Sequence, residues 1–209
     1  MSISFRTVSH LNEDQRDALA EIVNIGMGQA GAALAQVLGE FVILSVPRIR
    51  LVDSQAVPET LAELVGAETT VSAIRQPFHN HLHGEAIVVY DEHGCRDLAD
   101  IMGHDECTDE RVEQELLLDI GNILAGASLK GVAEQLQAEI TFSPPSILAT
   151  HVPVERLLDP EALDWSYSLL IEVNFTLEAR RFKGHLLIML SEDSIDTLVQ
   201  DIDAFLESL

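Results

Sequence analysis

The pattern of apolar and polar positions divides the chain into two long helical periods, each followed by a set of strand-like runs. From Asn12 onward, Leu19, Ile22, Val23 and Gly26 recur on one broad side at the 3.6-residue period, and a small, apolar run from Gly26 to Leu38 carries the helix to Gly39-Glu40. Asn12 is placed to cap this helix, with Gln15 three residues later completing a capping box. Phe41–Val52 then reads as a strand region interrupted at Pro47, Pro58–Val65 as a short helix, Glu68–Ile74 and Glu85–Tyr90 as strands, and Cys95–Met102 as a helix. The second half takes the same order. A helix capped by Thr108 or Asp109 runs to about Gln137, Glu139–Phe142 and Ser146–Thr150 are strand-like around Pro144-Pro145, and Asp159–Leu163 is a loop or short helix. Tyr167–Glu178 and His185–Leu190 are long strand patterns, and an amphipathic helix starts at Glu192. Residues 1–10 read as a short strand or a lead-in.

The two halves share residues as well as order. Asp17, Glu21, Asn24 and Pro47 are matched by Glu115, Asp119, Asn122 and Pro145, every member displaced by 98 residues. Gly84-Glu-Ala-Ile-Val-Val-Tyr-Asp-Glu and Gly184-His-Leu-Leu-Ile-Met-Leu-Ser-Glu correspond at a displacement of 100. Matches at a constant offset point to a duplicated unit, with repeats at about 1–103 and 104–209 forming a single domain. The joint Gly103-His-Asp-Glu-Cys-Thr108 is too short for independent domains, so the expected fold is α+β: two pseudo-symmetric halves sharing a mostly antiparallel sheet, with the long motif helices on one side.

Charge narrows the partners. Against 12 Lys+Arg stand 35 Asp+Glu, a formal net charge of −23 and a pI near 4.4, which repels nucleic acid and anionic membrane surfaces and suits a protein with a basic patch. No run of 18 apolar residues is present and the first residues lack the order of a secretory signal, so a cytoplasmic protein is expected. Cys95 and Cys107, spaced for neither a redox pair nor a zinc knuckle, read as reduced thiols.

Candidate chemistry lies on the helices. Asp17, Glu21, Asn24 and Gly28, at i, i+4, i+7 and i+11, form a narrow stripe opposite the apolar face, with Gly28 leaving room for another molecule to approach. A solvated face would explain the acids. It does not explain Asn, a poor residue for a helix interior, at matched positions in both halves. Gly26-Met-Gly28-Gln-Ala-Gly31 spells a dinucleotide fingerprint but follows no strand, so it is read as packing. His79, His81 and His83 would share one face of an extended strand, a sensor or metal site in principle; no clustered Cys or fourth ligand accompanies them, and an exposed hairpin is the simpler reading. Asp17, Glu21, Glu115 and Asp119 could likewise be set against a two-metal carboxylate site, but neither helix supplies the accompanying His.

Asp17, three residues, Glu21, two residues, Asn24 and then, 22 residues on, Pro47 resembles the signature of the CheC/CheX/FliY phosphatases of bacterial chemotaxis. In length and duplication the chain resembles CheC more than the shorter CheX, and with a last helix reaching Leu209 it is expected to lack the flagellar-switch domain of FliY-type proteins. The resemblance implies hydrolysis of the aspartyl phosphate of a CheY-like response regulator. It implies that Asn24 enters the regulator's site and orients the attacking water, that Glu21 meets the regulator's lysine, and that Mg²⁺ belongs to the regulator, with no cofactor on this chain. Asp17 and Glu115 would assist binding. The second copy departs from the pattern: Asp119 stands where Glu is expected, one methylene shorter, so the resemblance marks Asn24 as the main site and Asn122 as a second site with a weaker carboxylate contact. Rival readings are an adaptor that binds a receiver domain or the deamidase CheD without catalysis, and a sensor using His79–His83.

Overall fold

The computed structural model describes residues 11–91, 94–101, 110–159, 167–178 and 183–208. The expectations for residues 1–10, for the 103–108 joint, for the Thr108 or Asp109 cap and for most of Asp159–Leu163 lie outside these, as do Cys107 and the side chain of Cys95.

Helix α1 (Glu13–Leu38) starts at the predicted capping box: Asn12 Oδ1 accepts from the Gln15 amide at 2.8 Å while Gln15 Oε1 accepts from the Asn12 amide at 3.0 Å. It ends at Gly39, whose φ of 65° is a left-handed cap open to a residue without a Cβ. Then follow β1 (Val42–Leu44), β2 (Arg48–Asp53), α2 (Val57–Val65), β3 (Thr70–Asn80), β4 (Gly84–Asp91) and α3 (Gly94–Ile101). The chain continues with α4 (Glu110–Gln135), β5 (Ile140–Phe142), β6 (Ser146–Pro153), β7 (Tyr167–Leu177), β8 (Lys183–Leu190) and α5 (Glu192–Glu207). Helices α1 and α4 are each 26 residues long.

All strands join one antiparallel sheet in the order β1-β7-β8-β4-β3-β5, with β2 continuing the edge along β7 and β6 the edge along β3. At its centre β4 pairs with β8, and Ile87 stands opposite Leu187, 100 residues further on. The strands that follow each long helix cross over. Strands β1 and β2 pair with β7, and β5 and β6 with β3, so each edge of the sheet joins segments distant in sequence. The backbone bonds match: the Ser45 amide donates to the Asn174 carbonyl and the Ser143 amide to the Pro77 carbonyl, both at 2.9 Å.

Pro77 lies inside β3 without breaking it. Its carbonyl points to Ser143, so its absent N–H would point the same way, into the gap between the ends of β5 and β6, where no ladder bond is called for. This carries β3 to Asn80, beyond the end at Ile74 that the alternation predicts.

The two long helices occupy one face. Leu19, Ile22, Val23, Met27 and Leu34 of α1 and Leu117, Ile120, Leu124 and Leu129 of α4 share a core with Ile74, Phe78, Val88, Tyr90, Ile171, Phe175 and Leu186 of the sheet. A second core, of Val57 and Leu61 with Ile87, Val89, Leu170, Leu187 and Met189, covers the opposite face. Both long helices reach the length and apolarity of a membrane span although neither is an unbroken apolar run; 44% and 61% of the relevant stretches are buried inside the protein, against each other and the sheet. They touch at backbone distance: a Cβ on Gly131 would stand 2.5 Å from the Gly26 Cα, and one on Gly26 would stand 2.7 Å from the Ser128 carbonyl oxygen. Gly26 and Gly31 of the dinucleotide-like run are thus packing positions, Gly31 lying against Leu44.

Candidate functional site

Burying the apolar side of α1 turns its opposite stripe to solvent. Asp17, Glu21, Asn24 and Gly28 are all exposed, and the stripe extends over about 16 Å of helix at 1.5 Å per residue. On α4, Glu115, Asp119 and Asn122 are exposed in the same spacing, followed by half-buried Gly126. Among the described residues, no atom outside the local helix comes within 4 Å of where a Cβ would lie on either Gly28 or Gly126, so neither glycine serves packing against them.

Among the described residues, the side chains of Asp17, Glu21, Asn24 and Asp119 make no hydrogen bond or ion pair, while Glu115 faces Arg111 across a fully solvated 3.9 Å gap. Carboxylates and amides held out in this way are satisfied by water until a partner replaces it. The surroundings are negative: from Glu13 to Asn24, and again from Glu110 to Asn122, each helix carries four acids against one arginine. Such a face attracts a cationic surface.

Asn122 differs from Asn24. Its Oδ1 accepts from Gln76 Nε2 at 2.9 Å, and Gln76, on β3 beneath it, is buried among apolar side chains. The sequence pattern did not mark Gln76, because a single polar residue on the core side of a strand is visible only once the register is known. Pro47 and Pro145 occupy the breaks between β1 and β2 and between β5 and β6, in keeping with a structural role.

The histidines lie at the exposed hairpin of the simpler reading and form no extended ladder. Strand β3 ends at Asn80, with φ 98°, and His81 and His83 belong to the turn. His81 Nε2 sits 2.8 Å from Asp201, and the His83 amide donates to Ser194 Oγ at 2.7 Å. Among the described residues no group of three His, Cys, Asp or Glu side chains is placed to hold a metal ion. Two surface pockets, one at Pro58, Ala62 and Glu155 and one at Lys130, Ile140 and Phe142, contain none of the motif residues. The motif residues lie on exposed helix faces, not in a described pocket that could enclose a small molecule.

The pair of long helices on a curled antiparallel sheet is the architecture of the FliY, CheX and CheC-like structures. The CheC-like family model matches residues 15–50, from the capping box through Asn24 and Pro47 into β2. The chain is 26% identical over 143 residues to the CheY-P phosphatase CheC of Bacillus subtilis, covering 66% of this chain and 67% of that one. It is 23% identical over 177 residues to the flagellar motor switch phosphatase FliY of the same organism, covering 82% of this chain but only 44% of that relative. The Thermotoga maritima FliY structure superimposes with a TM-score of 0.73 at 19% identity, over 94% of this chain and all of that one. The Helicobacter pylori FliM middle domain gives 0.61 at 12% identity, over 91% and 99%. The family-model match over residues 15–50 and the likeness of fold make this chain similar to the CheC, CheX and FliY proteins. Since a FliM domain shares the fold, the motif face and not the fold carries the functional question.

Proposed function

We propose that this chain is a phosphatase acting on the aspartyl phosphate of a CheY-like response regulator. The observation that carries the reading is the exposed, unpartnered pair Glu21 and Asn24, lying inside the segment that matches the CheC-like family. In hydrolysis a water oxygen attacks phosphorus in line, the bond from phosphorus to the acyl oxygen breaks, and the regulator's carboxylate and inorganic phosphate leave. An acyl phosphate is already reactive, so what remains to be supplied is a positioned water and neutralised charge. The Asn24 amide accepts from the water through Oδ1 and donates to a phosphoryl oxygen through Nδ2, with no titrating group. Glu21, one turn before it, pairs with a cation of the regulator and sets the register; Asp17 extends the same contact. Any Mg²⁺ is held by the regulator in this reading. Asn122, preceded by Asp119 and Glu115, forms the second site.

The test follows acyl-phosphate loss from a Mg²⁺-loaded CheY-like regulator charged with acetyl phosphate. Wild type should accelerate it, Asn24→Ala should lower the rate, and Asn24→Ala with Asn122→Ala should abolish the acceleration. A wild-type protein that binds every regulator tried and accelerates none would replace this reading with that of an adaptor.

A further inference from the structure

The geometry points to Gln76 as a positioning residue for Asn122, a role that rests on the phosphatase reading above: we infer that Gln76 orients the second site's amide from inside the core. Three observations converge. The first is the register. Gln76 pairs with Ala86, and Val173 pairs with Leu186, 100 residues beyond Ala86, so Val173 is its counterpart in the other hairpin. The positions on either side are kept alike: Ile74 and Phe78 on β3 answer to Ile171 and Phe175 on β7, each Phe lying opposite a glycine, Gly84 or Gly184. Between identical neighbours facing the same core, one strand has valine and the other a buried amide.

The second is the hydrogen-bond chain. Gln76 Nε2 donates to Asn122 Oδ1 at 2.9 Å and to the Ser143 carbonyl at 3.3 Å. A backbone carbonyl only accepts, so Ser143 decides which end of the Gln76 amide turns towards it. That in turn requires Asn122 to present its oxygen. Asn122 is then left with one free lone pair on Oδ1 and both Nδ2 hydrogens, the acceptor for water and the donors for a phosphoryl oxygen. Ser143 immediately precedes Pro144-Pro145, so the segment carrying the second motif's proline holds the second motif's asparagine, through Gln76. Among the described residues Asn24 has no such tether.

The third is cost. Gln76 is only 3% exposed and its Oε1 is buried without a partner. A buried unpaired oxygen opposes folding, so an apolar side chain of equal size would serve the core better. A residue that fits the core poorly and the exposed asparagine well is explained by the asparagine.

The test uses the full chain carrying Asn24→Ala, so that only the second site works, and compares it with the same chain carrying Gln76→Met or Gln76→Glu. Met keeps the length and removes the donor; Glu turns the donor into an acceptor and forces the Asn122 amide to reverse. Both should lower kcat for regulator dephosphorylation by roughly 10- to 100-fold, the range set by misplacing a reacting group, with KM changed less than about threefold. The Met variant should melt no lower than its parent, which a purely structural glutamine would not allow. Equal kcat for Asn24→Ala with and without Gln76→Met overturns the inference, as does an inactive Asn24→Ala chain beside an active wild type. An inactive wild type instead overturns the phosphatase reading, and this inference with it.

Discussion

Gly28→Ala separates what the motif helix needs for folding from what it needs for docking. A glycine in a helix interior costs about 1 kcal/mol relative to alanine, mostly in backbone entropy. At Gly28 nothing offsets the gain, because an added Cβ meets no atom within 4 Å. Replacement should therefore stabilise the protein by about 0.5–1 kcal/mol, raising Tm by about 1–4 °C for a chain of this size. Gly126 meets equally open space, so Gly126→Ala should add independently. The same methyl group stands in the stripe one turn past Asn24, where, on the phosphatase reading proposed above, the regulator's surface would come close. Overpacking a formed contact costs about 1–3 kcal/mol, which predicts a loss of about 5- to 150-fold in kcat/KM for dephosphorylation. The two measurements are thermal unfolding by circular dichroism and acyl-phosphate decay at subsaturating regulator. A lower Tm would refute the open-space argument; a higher Tm with unchanged kcat/KM would refute the clearance argument.

Gly131→Ala should act in the opposite sense on stability. Its methyl group would fall 2.5 Å from the Gly26 Cα, where neither helix backbone can yield, so the strain outweighs the propensity gain and a net loss of about 1–2 kcal/mol is expected in denaturant titration. A third prediction concerns pH. Burial, assisted by the charge of Lys183, lowers His185 from 6.5 to about 4. Between those values the unfolded chain binds the proton and the folded chain does not, so His185 costs nothing above pH 6.5 and its penalty grows until about pH 4. Going from pH 6.5 to 5, wild type should lose about 2 kcal/mol more stability than His185→Gln, measured by urea unfolding; parallel profiles would count against the burial argument.

Much of this architecture was legible before the coordinates because it rests on local rules. The capping box at Asn12, the stop at Gly39 and the breaks at Pro47 and Pro145 are decided within a few residues, and the exposed stripe of Asp17, Glu21 and Asn24 follows from the period of its apolar neighbours. What was not legible depends on contacts distant in sequence. The length of β3 beyond Ile74 depends on Ser143 and the β5–β6 gap, which accommodate Pro77. The turn at His81 is secured by Asp201 and Ser194 of α5, which leaves the three histidines no common strand face. The exchange of β1 and β2 onto β7, and of β5 and β6 onto β3, needs pairings that periodicity alone cannot choose.

The same distinction bears on the inequality of the two motifs. Read as sequence, the second motif is the weaker copy, because Asp119 is shorter than Glu21. In three dimensions the asparagines differ in the other direction: Asn122 is anchored from below and, among the described residues, Asn24 has no anchor. An anchored amide has surrendered its rotamer freedom during folding, whereas a free one would surrender it on meeting the regulator of the proposed reading. A longer carboxylate beside a free amide, and a shorter carboxylate beside an oriented one, are then two ways of dividing the same task. In the first, docking must do the ordering; in the second, the sheet has already done it.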